Sequence, residues 1–140
     1  MKTFAWVDGG SRGNPGPAGF GVMLRDAGGV ELLRVWGYVG VATNNVAEYQ
    51  GMIAALDEAH RLGATEIEVR TDSELLQRQI TGVYRVKQPH LQELMKQVRS
   101  KIARFRAFTV LHVRREENSD ADHLANIAMD RRESGREPSA

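Results

Sequence analysis

The sequence predicts an α/β protein built on one mixed sheet flanked by helices. Three observations predict it. Short runs alternate with period two, and longer runs carry apolar residues at helical spacing; together they follow the order β-β-β-α-β-α-α-β-α. The second and third strands meet across a tight "AGG" turn, so that pair is a hairpin. The later strands are separated by helices, as parallel neighbours require, which makes the whole sheet mixed.

Residues 2–8 alternate and read as a strand that closes on Asp8. "GGSRGNPGPAG" follows as a Gly/Pro loop. "FGVMLRD" and "VELLRVWGYVG" form the hairpin. Residues 44–62 predict a helix: Thr43, Asn44 and Asn45 supply capping oxygens, and Gly63 stops it. "TEIEVRTD" alternates and ends its strand at Asp72. Ser73 to about Thr81 reads as a short helix ended by Gly82. Pro89 opens the next helix, where a missing N–H does no harm, and Leu91, Leu94, Met95, Val98, Ile102 and Phe105 form its apolar stripe. "AFTVLHV" is the last strand, and "NSDADHLANIAMD" is a final helix with Ala121, Leu124, Ala125 and Ala128 on one side. One domain is expected over 1–130. The polar "RRESGREPSA", 131–140, is expected as a disordered tail or the start of a linker.

A chain of 140 residues, 41% apolar and 26% charged, suits a single globular core. The absence of Cys excludes disulfides, Cys–zinc sites and a cysteine nucleophile. Apolar runs are too short to span a bilayer, and "MKTFAWVDGG" lacks the pattern of a signal peptide. The expectation is a cytoplasmic monomer with no membrane partner. Net charge is +1, but its distribution is uneven. Arg85, Lys87, Lys96, Arg99, Lys101, Arg104 and Arg106 stand against Glu93 alone between Tyr84 and Arg106. Such a stripe fits a phosphate backbone, and equally a solvated helix face.

Four acids occupy unusual places. Glu48 shares a helical stripe with Gly51, Met52 and Ala55, the face that packs inward. Asp8 and Asp72 end strands that flank the hairpin-and-helix crossover, where ligands of α/β sheets collect. Asp122 lies in the first turn of the last helix. Taken singly, Asp72 and Asp122 read as helix-capping acids and Asp8 as a turn acid. Taken together they can meet at one sheet edge, where mutual repulsion and desolvation must be relieved by protonation, cationic side chains or divalent metal. An all-oxygen donor set suits magnesium or manganese, and paired ions of this kind serve phosphodiester cleavage.

"DGGSRGNPGPAGFG", "TNNVAEYQGMIAAL", "TDSELL" and "NSDADHLAN" resemble, in order, the signatures of ribonuclease HI. The resemblance covers about residues 2–130 and is strongest to the compact bacterial and archaeal branch lacking a basic protrusion. It implies a ribonuclease H-like fold, with a five-stranded sheet in order 3-2-1-4-5 and strand 2 antiparallel. It implies an endonuclease that cuts the RNA strand of RNA–DNA hybrids with two Mg2+ ions, Mn2+ substituting, and leaves 5′-phosphate and 3′-hydroxyl ends. The catalytic and metal-holding acids carry over as Asp8, Glu48, Asp72 and Asp122, the last preferred to Asp120 because it follows Asn118 by four residues and precedes "HLAN". Asn14, Asn44 and Asn45 match positions that read RNA 2′-hydroxyls, and Thr43 matches a contact to the DNA-strand phosphate. For the two Asn residues before the helix, simple capping is the alternative.

Departures from the family pattern are specific. The loop before the last helix, "RREEN", has no His, leaving Arg114, Arg115 or Glu116 as candidates to assist; neither His112 nor His123 takes that role. Val46 stands where the family often has Arg. Tyr84 is the one candidate for an aromatic against the DNA sugar, with core packing as its alternative, and Arg85 and Lys87 can supply affinity for the phosphate backbone. A hybrid-binding module without catalysis, and a nuclease acting on double-stranded RNA or attached to a reverse transcriptase, are the competing functions.

Overall fold

The computed structural model describes residues 1–138. The elements are β1 (Lys2–Ser11), β2 (Gly16–Asp26), β3 (Glu31–Ala42), α1 (Asn44–Arg61), β4 (Glu66–Thr71), α2 (Glu74–Ile80), α3 (Pro89–Ile102), β5 (Ala107–His112), a 3-10 turn (Arg115–Asn118), α4 (Ser119–Arg131) and β6 (Gly135–Pro138). The sheet order is β5-β4-β1-β2-β3-β6. β2 runs antiparallel to β1 and β3, while β1, β4 and β5 are parallel. The expected five-strand order therefore stands, with a sixth strand added at one edge.

That sixth strand corrects the expectation of a disordered tail. Arg131 closes α4, and Gly135–Pro138 pairs antiparallel with β3 from Trp36 to Leu33. The physical reason is the bare edge that β3 would otherwise present, a ready template for more chain. Ser134 Oγ accepts the Tyr38 N–H at 2.9 Å, and Arg136 reaches Glu58 at 2.9 Å, so side chains pin the segment as well. Composition alone misses such a partner because it lies about a hundred residues away. Residues 139–140 of the expected tail lie outside the described residues.

The Gly/Pro loop is also shorter than its composition suggests. Gly9, Gly10 and Ser11 continue β1 and pair with Phe20, Gly19 and Ala18, leaving only residues 12–15 as the turn. The "RREEN" loop is in part a 3-10 turn, closed by Glu117 accepting from Arg114 Nε at 3.1 Å.

The main core lies between the sheet and α1, α2 and α3. Val7, Val22, Leu24, Leu33 and Val69 meet Tyr49, Met52, Leu56, Leu76 and Val98, all buried. α4 covers the opposite face over β2 with Ala121, Leu124, Ala125 and Ala128. Its approach is close enough that a Cβ on Gly21 would stand 2.2 Å from the Ala121 carbonyl oxygen. Gly21 is the register partner of Asp8, so this close approach brings the start of α4 over the end of β1.

Candidate active site

β1 and β4 pair in parallel, with Val7 opposite Thr71. The next residue on each strand path is an acid, so Asp8, still within β1, and Asp72, just past the end of β4, come side by side. Glu48 arrives from the second turn of α1, whose backbone abuts β1 at Gly9. A Cβ there would lie 2.5 Å from the Glu48 nitrogen. Asp122 arrives from the first turn of α4. Asp8 is within hydrogen-bonding reach of both Asp72 and Asp122, and Glu48 feels the charge of Asp72. All four predicted acids are brought together. Asp120, two residues earlier on the same helix, turns the other way and meets Arg34 at 3.5 Å.

A cleft of about 580 Å³ opens on this cluster, lined in part by Asp8, Glu48, Asp72, Ser73 and Asn44. Among the described residues, none of the four acids pairs with Lys or Arg. Burial, then the charge of Asp72 and the neighbouring Asp122, pushes the Asp8 carboxyl up to about 8. Burial pushes Glu48 up to about 7, against the opposing hydrogen bond from Ser73. Two carboxyls pushed up by desolvation and by neighbouring acids are short of positive charge. Among the described residues, no three His, Asp or Glu side chains are gathered tightly enough to enclose an ion as they stand. The donor set nonetheless fits a hard divalent cation: carboxylate oxygens from four elements, unpaired with Lys or Arg among the described residues, beside an open cleft.

Sequence reading missed two supporting residues. Ser73 Oγ donates to Glu48 Oε2 at 3.0 Å while accepting the Leu76 N–H at 3.1 Å, so the cap of α2 also aims Glu48. A Ser after an acid at a helix start signals the cap but not the bond to α1. Asn118, 1% exposed, donates to the Val7 carbonyl at 2.9 Å and ties the entry of α4 to the strand that carries Asp8. An Asn four residues before an acid was its only signal. Gly9→Ala is expected to break this assembly, since its Cβ meets backbone that cannot move aside. A fall in melting temperature by several degrees together with lost cleavage is the expected outcome, read by calorimetry and a cleavage assay.

Of the remaining predicted residues, Asn44 lines the cleft, while Asn14, Thr43, Asn45, Tyr84, Arg85 and Lys87 are not among its lining residues. Thr43, not Asn44 or Asn45, caps α1, its Oγ1 accepting the Val46 N–H at 3.3 Å. Asn14 Oδ1 accepts the Asn44 N–H at 3.1 Å, stitching the β1–β2 turn to the helix start. Among the described residues, the side chains of Asn44 and Asn45 make no hydrogen bond and stay available to a ligand. Tyr84 is exposed, with the Arg78 guanidinium 5.4 Å from its ring centre, so core packing does not explain it. Arg85 and Lys87 are exposed on the same segment. The basic stripe is smaller than it reads: Asp57 takes Lys101 at 2.7 Å and Arg104 at 2.8 Å, and Lys96 lies 3.8 Å from Glu93. His112, Arg114, Arg115 and Glu116 line the cleft wall opposite α1.

Residues 6–128 match a protein family described as reverse transcriptase-like. The bifunctional protein Rv2228c of Mycobacterium tuberculosis is 47% identical over 131 residues, 93% of this chain and 36% of its own length. The chain thus spans about a third of the mycobacterial relatives it matches. The crystal structure of ribonuclease H1 from the archaeon Halobacterium salinarum superposes with a TM-score of 0.91 at 40% identity, covering 94% of this chain and 99% of the other. That of LC11 ribonuclease H1 in complex with an RNA/DNA hybrid superposes with a TM-score of 0.88 at 41% identity, covering 93% and 98%.

Proposed function

Because this chain belongs to the ribonuclease HI family, we propose that it hydrolyses the RNA strand of RNA–DNA hybrids internally, leaving 5′-phosphate and 3′-hydroxyl ends. The observation that carries the reading is the meeting of Asp8, Glu48 and Asp72 in one cleft, with Asp122 beside Asp8 and, among the described residues, no Lys or Arg paired with any of the four. Ribonucleases H depend on divalent metal. Here the four acids would hold two Mg2+ ions, with Mn2+ able to substitute. Such ions, when bound, supply a Lewis acid that eases deprotonation of water and stabilises the leaving oxygen.

This chain's own residues do the rest. Asp8 and Asp72, side by side on β1 and after β4, would face the scissile phosphate, and Ser73 aims Glu48 with them. Water adds to phosphorus, the bond to the 3′ oxygen breaks, and that oxygen takes a proton. Asn44 lines the cleft, Asn14 is hydrogen-bonded to Asn44 and Asn45 follows it, and their amides would pair with 2′-hydroxyls that only RNA offers. Thr43 stands beside them for a DNA-strand phosphate. Tyr84, Arg85 and Lys87 extend the contact along the backbone. We place the enzyme in the cytoplasm as a monomer; among the described residues no helix is long and apolar enough to cross a membrane.

The test is side-by-side cleavage of a labelled hybrid, a duplex RNA and a duplex DNA, with Mg2+ or with EDTA. Only the hybrid is expected to be cut, and only with Mg2+. Equal cleavage of duplex RNA would make this a broader nuclease, and binding without cleavage would make it a binding module. Replacing Arg85 and Lys87 together by Ala is expected to weaken hybrid binding and to flatten its dependence on salt, by about 1–2 in the slope of log K against log salt. A slope unchanged by the double substitution would remove these two from the interface.

A further inference from the structure

Asp122 differs from the other three acids in what stands behind it. Asn126, one turn along α4, donates from Nδ2 to the Asp122 carbonyl at 3.1 Å and lies 3.4 Å from Asp122 Oδ2. Its other end is occupied: Asn126 Oδ1 accepts from Arg12 Nη2 at 3.0 Å. Arg12 is forked, with Nη1 on Asp130 Oδ1 at 2.8 Å. The backbone N–H of Arg12 is bonded to the Pro17 carbonyl at 2.8 Å, so the fork springs from the closed β1–β2 turn that also carries Asn14.

An amide has one accepting end and one donating end, and can present either to a neighbour. A guanidinium can only donate, so it takes the oxygen of Asn126 and leaves the NH2 facing Asp122. The reversed amide would set a carbonyl oxygen against the Asp122 carboxylate and a donor against Arg12. Both contacts would be repulsive. Arg12 therefore fixes the polarity of Asn126, and Asn126 in turn restrains one carboxylate oxygen while the acid meets Asp8 on its other side. No such support reaches Asp122 from β1 or from the 3-10 turn among the described contacts.

We propose that Arg12 and Asn126 are positioning residues that pre-set the Asp122 carboxylate for a divalent cation, acting from outside the ligand set. This rests on the reading of the four acids as a Mg2+ site. Partners behind a metal-binding group orient it before the ion arrives, and losing one typically weakens affinity. Asn126 acts directly. Arg12, with its side chain 48% exposed, acts through one more contact and is partly screened, so its loss costs less.

The experiment is calorimetric titration of Mg2+ into the free protein, paired with the Mg2+ dependence of hybrid cleavage. Asn126→Ala is expected to weaken Mg2+ binding by about tenfold, and Arg12→Ala by roughly threefold. Each variant should raise the Mg2+ concentration for half-maximal cleavage by the same factor, while kcat at saturating Mg2+ falls less. Arg12→Lys, which keeps a donor, should recover most of the lost affinity. Ala suits a helix interior, so Asn126→Ala should melt no lower than the wild type in EDTA. Wild-type Mg2+ affinity in both Ala variants overturns the proposal. So does an affinity loss that tracks a lowered melting temperature and is not recovered by Arg12→Lys. A wild type that neither binds Mg2+ nor cuts hybrid brings down the underlying reading as well, and is told apart because the variants then change nothing.

Discussion

Asp8→Asn abolishes hybrid cleavage and, in EDTA at pH 8, raises the melting temperature. Both effects come from one cause. Asp8 is 9% exposed, lies in the second half of β1, and is influenced by Asp72 and Asp122 without, among the described residues, an ion pair to Lys or Arg. Without a bound ion, its charge is a burden on the fold, so an isosteric amide relieves repulsion and desolvation together. With the acid gone, the cluster loses the group central to its charge, and the chemistry that depends on a bound cation goes with it. Cleavage is expected to fall by about a thousandfold or more, the scale set when a central electrostatic group is removed. The gain in melting temperature is expected at roughly 3–8 °C, from about 1–3 kcal/mol of relieved repulsion in a domain of this size. Asp72→Asn should behave alike in cleavage. Turnover retained by either variant at saturating Mg2+ would contradict the assignment.

Stability of the wild type without metal falls as pH rises from about 4 to about 8. Asp8 and Glu48 titrate near their ordinary values, 3.8 and 4.5, in the unfolded chain, but at about 8 and about 7 in the fold. Below pH 4 both states are protonated and nothing is lost. Above that, the unfolded chain releases protons that the native cluster still holds, so unfolding gains ground until the native carboxyls ionise too. The change is expected to total about 2–4 kcal/mol, discounted from the full shifts because the groups share one cluster. Asp57 and Glu117 do not mask it. Burial alone would raise Asp57, but hydrogen bonds from Lys101 and Arg104 outweigh it and hold that carboxyl low. Glu117 is held low by its hydrogen bond from Arg114. Stability from such lowered acids is lost only as pH drops below their ordinary range. Mg2+ binds the ionised cluster, so its stabilising effect should be largest at pH 8–9 and shrink toward pH 5. Melting curves at pH 5, 7 and 9, with EDTA or Mg2+, test this. A metal-free stability that rises over that range would contradict the electrostatics.

Much of this was legible in the sequence because it is encoded locally. Period-two runs that end in Asp8 and Asp72, and an acid on the inward stripe of α1, are visible without coordinates. Asp122 is preferred to Asp120 on the family pattern, four residues after Asn118; the structure supplies a physical reason, since two residues along a helix point nearly opposite ways, one to Asp8 and the other to Arg34. What escaped the sequence depends on residues far apart in the chain. Lys101 and Arg104 read as free cations, but Asp57 claims them from across the α1–α3 packing. Ser73 reads as a cap, and only the packing of α2 on α1 gives its hydroxyl to Glu48. The tail reads as unstructured until the open edge of β3 is considered. Thr43, Asn44 and Asn45 compete for one cap on composition alone, and backbone geometry awards it to Thr43.

The most direct measurement of the central claim is an anomalous difference map from crystals of the wild-type protein soaked in Mn2+ at a concentration that supports cleavage. Density in the cleft touching the Asp8 carboxylate and at least two of Glu48, Asp72 and Asp122 is the result predicted here. An empty cleft, or density held only by other residues, would contradict it.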